Sequence, residues 1–264
     1  MKTLELQAIK IEIHADSRSL GLAAANAAAK SLRALSADSE NIGVIFATGA
    51  SQLATLQALT SMDDIPWQKI EGFHLDEYIG LAPTHPASFR RYLRENLTHR
   101  ISMRKFHEID GSSGDTQTIC NQYVTDLIKA DPQLCLLGIG ENGHLAFNDP
   151  AEADFSDPLD MKVVTLDAEC REQQHAEGWF PSLEAVPNQA LTLTIPTIFR
   201  VPQLILSVPG PRKAQIIRRT LEESISTACP STLLRTHSNA TLYLDTDSAA
   251  ELKNSALLHG QSTH

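Results

Sequence analysis

The 264-residue sequence has few cysteines, and the four present (Cys120, Cys135, Cys170 and Cys229) are too far apart to form a CxxC pair. This spacing argues against a cysteine zinc cage or a disulfide scaffold and suits a reducing compartment. No apolar run approaches the roughly 18 residues that a membrane span needs. The N-terminus, MKTLELQAIKIEIHADS, lacks the apolar centre of a signal peptide. Positive charge is also short: 22 Lys and Arg stand against 32 Asp and Glu, a formal net charge of −10. Such an acidic chain is a poor partner for nucleic-acid backbones or anionic membranes. It can still capture a phosphate locally, through backbone N–H groups and one or two cations. There is no internal repeat, low-complexity stretch or linker. The expectation is a cytoplasmic protein forming one domain over residues 1–264, with oligomeric state, a homo-oligomer included, left open.

What is present is alternation. SRSLGLAAANAAAKSLRALSA, from Ser17, is rich in strong helix formers. GVIFATGAS is a β-branched run ending in small residues, and SQLATLQAL follows as a helix with Ser51 expected at its N-cap. KIEGFHLDEY reads as a strand entering a loop, and PASFRRYLRENL as a helix opened by Pro86. A helix over DTQTICNQYVTDLIKA precedes the buried strand LCLLGIG. ALTLTI, QLILSVPG and ATLYLD read as strands, and PRKAQIIRRTLE as a helix begun by Pro211. Residues 151–187 are the least regular and read as a flap. This order predicts an α/β fold, a doubly wound and mostly parallel sheet with helices on both faces. Ligands in such sheets bind beyond the carboxyl ends of the strands.

Four of those ends hold unusual residues. In ATGAS, the small residues let backbone approach a ligand at a helix start, where unpaired N–H groups favour an anion; a tight capped turn explains them equally. In FHLDEYIGL, Asp76 could serve as a general base, although acidic residues after strands are commonly solvated turn residues. In GIGENGHLAFNDP, Gly138, Gly140 and Gly143 match GxGxxG, but no helix follows and the position is mid-chain, so a dinucleotide cofactor is rejected. The same loop would instead project His144 beside Asp149, a pair suited to proton transfer, or hold a structural histidine. In SVPGPRKAQII, Arg212 and Lys213 oppose the dipole of the helix they begin, which hints at an anion or marks an exposed surface helix.

Taken together, these segments resemble the glucosamine-6-phosphate deaminase family, which is related to 6-phosphogluconolactonase. ATGAS is similar to its TGxS phosphate segment, FHLDEYIGL with HPASF to its DEYxGL…HPxSY block, and GIGENGHLAFNDP to its GxGxxGHxxFNEP signature. VPNQALTLTIPTI and GPRKA follow in the same order, so the resemblance covers roughly residues 40 to 250. It implies a doubly wound fold and an aldose–ketose isomerisation with loss of ammonia from a 6-phosphorylated amino sugar, with no metal or organic cofactor. By resemblance Asp76 is the base between C2 and C1, and His144 assists ring opening, oriented by Asp149 and Asn142. Thr48, Gly49, Ala50, Ser51, Gly143 and Lys213 are the expected substrate and phosphate residues.

Three departures stand out. Asn142 occupies a position where many members carry Asp, so His144 is expected to be less basic. Asp149 replaces the usual Glu and is one methylene shorter, which raises the question of its reach. The ANSRFF segment, whose arginine contacts substrate, is missing, and Arg171 is the candidate replacement. The basic cluster that serves allosteric activation in some members is not recognisable between Asp157 and Lys162. FNDP and DEYIGL favour the deaminase over the lactonase, while a galactosamine 6-phosphate enzyme differs only at C4. A silent sugar-phosphate sensor usually carries a basic helix-turn-helix, and the chain before residue 40 has none.

Overall fold

The computed structural model describes residues 1–112, 114–176 and 178–254. The end of the expected single domain, residues 255–264, lies outside them, as does position 177 of the expected flap. Strands β1 (Lys2–Leu6), β2 (Ile9–His14), β3 (Ile42–Phe46), β4 (Ile70–His74), β6 (Lys105–Phe106), β7 (Leu134–Leu137), β10 (Gln203–Val208) and β11 (Ala240–Asp245) form one eight-stranded sheet. Its order is β1-β2-β11-β10-β7-β3-β4-β6. Every pairing is parallel except the β1–β2 hairpin. The expected α/β fold is therefore observed, with two strands before the first helix.

Alternation along the strands splits the core between the two faces of the sheet. Val44, Phe46, Leu134, Leu136 and Ile205 pack with Leu20, Ala24, Ala28 and Leu32 of α1 (Ser17–Asp38) and Leu56 and Leu59 of α2 (Leu53–Thr60). Ile45, Cys135, Leu137, Leu204 and Leu206 face the other way, toward Tyr123 and Leu127 of α4 (Thr116–Ala130) and Ile216 and Ile217 of α7 (Ala214–Glu222). The alanines of α1 thus serve close packing as well as propensity. Asp16 begins that helix with a capping box, accepting from the Ser19 N–H at 2.7 Å. All four cysteines are buried and unpaired. Among the described residues, no helix is long and apolar enough to cross a membrane.

A second sheet was not foreseen. β5 (Asp76–Tyr78) leaves the large sheet one residue after β4 and pairs antiparallel with β9 (Gln189–Leu193), which pairs antiparallel with β8 (Met161–Thr165). ALTLTI is thus a strand, as expected, but not of the parallel sheet. The expected flap contributes β8 and α5 (Ala168–Ala176). Tyr78, Phe147, Val164, Cys170, Phe180 and Ala190 give this annex its own apolar cluster. Three helix starts also move. The segment from Pro86 becomes helical only at α3 (Phe89–Leu93), after Ser88. A 3-10 turn over Pro211–Lys213 precedes α7, and another over Ala50–Gln52 precedes α2, so Ser51 caps nothing.

Candidate active site

β7 lies between β3 and β10 in the sheet. From β3 the chain moves outward to β4, and from β10 it moves the opposite way to β11, so the crevice over β7 is a switch point of the winding. A cavity of about 590 Å³ opens there, within the ~300–1,000 Å³ usual for small-molecule sites. The loops after β3, β7 and β10 and the first residue of β5 all reach it.

The loops after β3 and β10 are built alike. Gly49 (φ 95°, ψ 167°) and Gly210 (φ 93°, ψ 157°) each turn the chain into a one-turn 3-10 segment. Neither glycine has an atom near the place of a Cβ, so the positive φ rather than crowding calls for glycine there. Thr48, Gly49, Ala50 and Ser51 line one side of the cavity, and Arg212 and Lys213 another. Both loops are fixed from beneath. The buried Gln52 amide donates to the Leu137 carbonyl at 3.0 Å, and the Gly210 N–H donates to both oxygens of Asp245 at 3.0 Å. The Tyr92 hydroxyl donates to the Gly49 carbonyl at 2.8 Å. Arg212 meets Glu141 across the rim at 2.9 Å.

Between these loops the β7 segment folds tightly on itself. The Gly140 N–H donates to the His144 carbonyl at 3.0 Å, and the Gly143 N–H to the Gly140 carbonyl at 3.1 Å. A Cβ on Gly140 would sit 2.2 Å from the His144 ring, so only glycine lets the imidazole lie across this turn. His144 lines the cavity, and its Nδ1 is 2.8 Å from Asp149 Oδ1. The shorter carboxylate therefore does reach. Asn142 ties the pair together, its amide donating to Asp149 Oδ1 at 2.8 Å and its carbonyl accepting the His144 N–H at 3.0 Å. Burial pushes the Asp149 carboxyl up, but His144, Asn142 and the neighbouring Cys170 thiol outweigh it and hold the group below its ordinary value. The Cys170 thiol is pushed far up by burial and by Asp149, and stays neutral.

Asp76 faces the same cavity from the start of β5 and is only 7 % exposed. Burial first, then the carboxylates of Glu77 and Asp149, raise it well above the ordinary carboxylate range. Deeper in, Glu77 is fully buried.

Of the residues expected from the sequence, Asp76, His144, Thr48, Gly49, Ala50, Ser51 and Lys213 share the cavity wall. Asn142 and Asp149 stand behind His144. Gly143 is also set back, its carbonyl accepting the Ser231 N–H at 2.8 Å. Arg171 is directed elsewhere: its guanidinium donates to the Leu183 carbonyl at 2.8 Å, and it is not in the wall. Sequence reasoning gave no site role to several other wall residues, among them Ala87, Ser88 and Phe89 at the start of α3 and Gln174 and Trp179 in and after α5. The only signal in HPASF is its place in the series of blocks, and Trp179 has no local signal.

The sequence profile described as glucosamine-6-phosphate isomerases/6-phosphogluconolactonase matches residues 15–243. A glucosamine-6-phosphate deaminase of Geobacillus sp. (strain WCH70) is 36% identical over 208 residues, 76% of this chain and 80% of the relative. One from Exiguobacterium sibiricum is 30% identical over 225 residues, covering 85% and 87% of the two chains. Among solved structures, a monomeric glucosamine-6-phosphate deaminase superposes with a TM-score of 0.82 at 28% identity, over 91% of this chain and 99% of the other. A 6-phosphogluconolactonase from Thermotoga maritima gives a TM-score of 0.73 at 18% identity, over 89% and 98%, and shares the fold alone.

Proposed function

The chain belongs to the glucosamine-6-phosphate isomerase/6-phosphogluconolactonase family, and from that premise we propose that it converts glucosamine 6-phosphate to fructose 6-phosphate and ammonia. The observation carrying this reading is the shared cavity. A buried carboxylate, Asp76, and an imidazole backed by a carboxylate, His144 with Asp149, face one space whose rim holds two anion-suited loops.

In this reading the phosphate is held by backbone N–H groups of the 48–51 loop with the Ser51 hydroxyl, and by Lys213 across the cavity. Its neighbour Arg212 shares its charge with Glu141. His144, with Nδ1 committed to Asp149, uses Nε2 to pass a proton to the ring oxygen as the C1–O5 bond breaks. The open chain then has an aldehyde at C1 and an amine at C2. Asp76 removes the proton from C2 as O1 gains one, giving an enolamine, and then returns its proton to C1 as the nitrogen releases one, so that C1 becomes a CH2OH group and C2 an imine. Water adds to C2, and ammonia leaves with its electron pair and a proton. A raised carboxylate pKa suits this step, because a base poised nearer neutrality takes a carbon-bound proton with more driving force. No step calls on a nucleic acid, a membrane or a resident cofactor, and a soluble phosphosugar fits a cytosolic setting.

The test is ammonia release by the purified protein from glucosamine 6-phosphate and galactosamine 6-phosphate in parallel, with 6-phosphogluconolactone hydrolysis as control. Ammonia from glucosamine 6-phosphate is expected. Ammonia from the galactose epimer alone would change the substrate, and lactone loss without ammonia would overturn the reaction.

A further inference from the structure

Glu77 is next to the proposed base, yet it does not line the cavity. It is fully buried and accepts five hydrogen bonds. Oε1 takes the N–H groups of Tyr78 (2.9 Å) and Phe89 (3.2 Å). Oε2 takes the Ser88 hydroxyl (2.9 Å), the Arg90 N–H (2.9 Å) and the Arg90 Nε–H (3.3 Å). The rest of the Arg90 guanidinium is spent on Asp110 at 2.6 Å and the Leu81 carbonyl at 3.0 Å. A buried ion pair is a poor device for stability alone, because desolvation offsets the attraction and apolar packing of the same shape does as well. What it supplies is geometry. Every donor beyond Tyr78 belongs to Ser88, Phe89 or Arg90, so Glu77 sets where α3 begins. Two residues further on, Tyr92 reaches from α3 to the Gly49 carbonyl of the 48–51 loop.

We propose that Glu77 is a positioning residue that couples the two ends of the site: through Ser88, Arg90 and α3 it holds Tyr92 against Gly49, and so fixes the 48–51 anion loop relative to Asp76. This rests on the assignment of that loop to the substrate phosphate. The physical content is a rigid chain of hydrogen bonds from the residue beside the base to the loop that grips the far end of the substrate. A near-attack placement of C2 against Asp76 requires both ends to be held at once.

Inorganic phosphate binding, followed by calorimetry, tests the coupling without relying on turnover. Wild type, Glu77→Gln, Tyr92→Phe and the double variant form a cycle. Each single change is expected to weaken phosphate binding about fivefold, the size of one lost hydrogen bond. The double variant should lose no more than either single, because both cut the same chain. With glucosamine 6-phosphate, Tyr92→Phe and Glu77→Gln should both raise KM and lower kcat, since either change frees the loop that holds the far end of the substrate. If Glu77→Gln does not fold, Ser88→Ala removes one of its donors and takes its place in the cycle. Phosphate affinity unchanged by Glu77→Gln, or losses that multiply in the double variant, would overturn the coupling, even where thermal stability falls. A wild type that binds no phosphate would overturn the loop assignment itself, and this inference with it.

Discussion

The cavity has two halves made by different means. The half on the eight-stranded sheet presents loops whose glycines and 3-10 turns aim backbone N–H groups, the first braced by Gln52 and Tyr92 and the second by Asp245. The half on the three-stranded annex works with buried side chains: Asp76 beside Glu77, aromatic packing around Tyr78 and Phe147, and α5 anchored in the same cluster by Cys170. Backbone sites tolerate side-chain change because the donors persist. Buried carboxylates do not, because each is poised by its neighbours. Chemistry should therefore be lost through the annex and the glycine loop, and affinity through the sheet loops.

The largest effect should come from Asp76→Asn, which removes the base and lowers kcat by at least the ~10²–10⁴ typical of general-base loss. The same change should raise the melting temperature near neutral pH. Asp76 has a folded-state pKa above its ordinary 3.8, so the folded protein binds a proton that the unfolded chain releases. The cost of its charge is absent below about 3.8 and develops as pH rises through the raised value. Each kcal/mol relieved corresponds to about 2–4 °C for a chain of this size. In wild type, activity should fall as pH drops through that raised value, giving an acid limb above the usual carboxylate range. A variant both inactive and less stable would break the contrast between the halves.

Asp149→Asn comes next, with kcat lower by about 10² as His144 loses the partner that fixes its tautomer. Its linkage has the opposite sign. A depressed carboxylate contributes stability that is present above the unfolded value and lost as pH falls through the folded one. Wild type should therefore lose stability in acid at a step that Asp149→Asn lacks, which thermal melts from pH 6 downward can follow.

Lys213→Ala should act on affinity, raising KM for phosphorylated sugar about tenfold, as expected for one charge-assisted contact, with kcat little changed. Weak binding of unphosphorylated glucosamine should not move; an equal loss there would remove the phosphate role. The smallest effect is expected from Asn142→Asp. A carboxylate at this position still accepts the His144 N–H but cannot donate to Asp149, so the change trades one hydrogen bond of the dyad for added charge beside His144. The pH–rate profile should shift toward higher pH with a change in maximal rate of a few fold, and an unmoved profile would show that only orientation matters at this position.

Legibility followed the same division. The parallel sheet announces itself through apolar runs and helix-forming stretches, and its loops through glycines next to strands, and Thr48–Ser51, His144 and Lys213 lie on the cavity wall. The annex is held by contacts distant in sequence. Asp76 pairs across the sheet with Thr192, and Met161 with Leu193, which no local pattern in 151–187 encodes. The start of α3 was misjudged for a related reason: Pro86 is a local signal, but Glu77 binds the N–H groups of Phe89 and Arg90 from ten or more residues away. Arg171 was chosen by position in a series, and its guanidinium turns to Leu183 instead.

The proposed reaction turns on one carbon–hydrogen bond, that at C2. Glucosamine 6-phosphate carrying deuterium at C2, followed by NMR during turnover, should lose its label from C2, with part of it appearing at C1 of fructose 6-phosphate, in wild type and not in Asp76→Asn. Label that stays on C2 in wild type, or leaves as fast in Asp76→Asn, would contradict the assignment of Asp76 as the base.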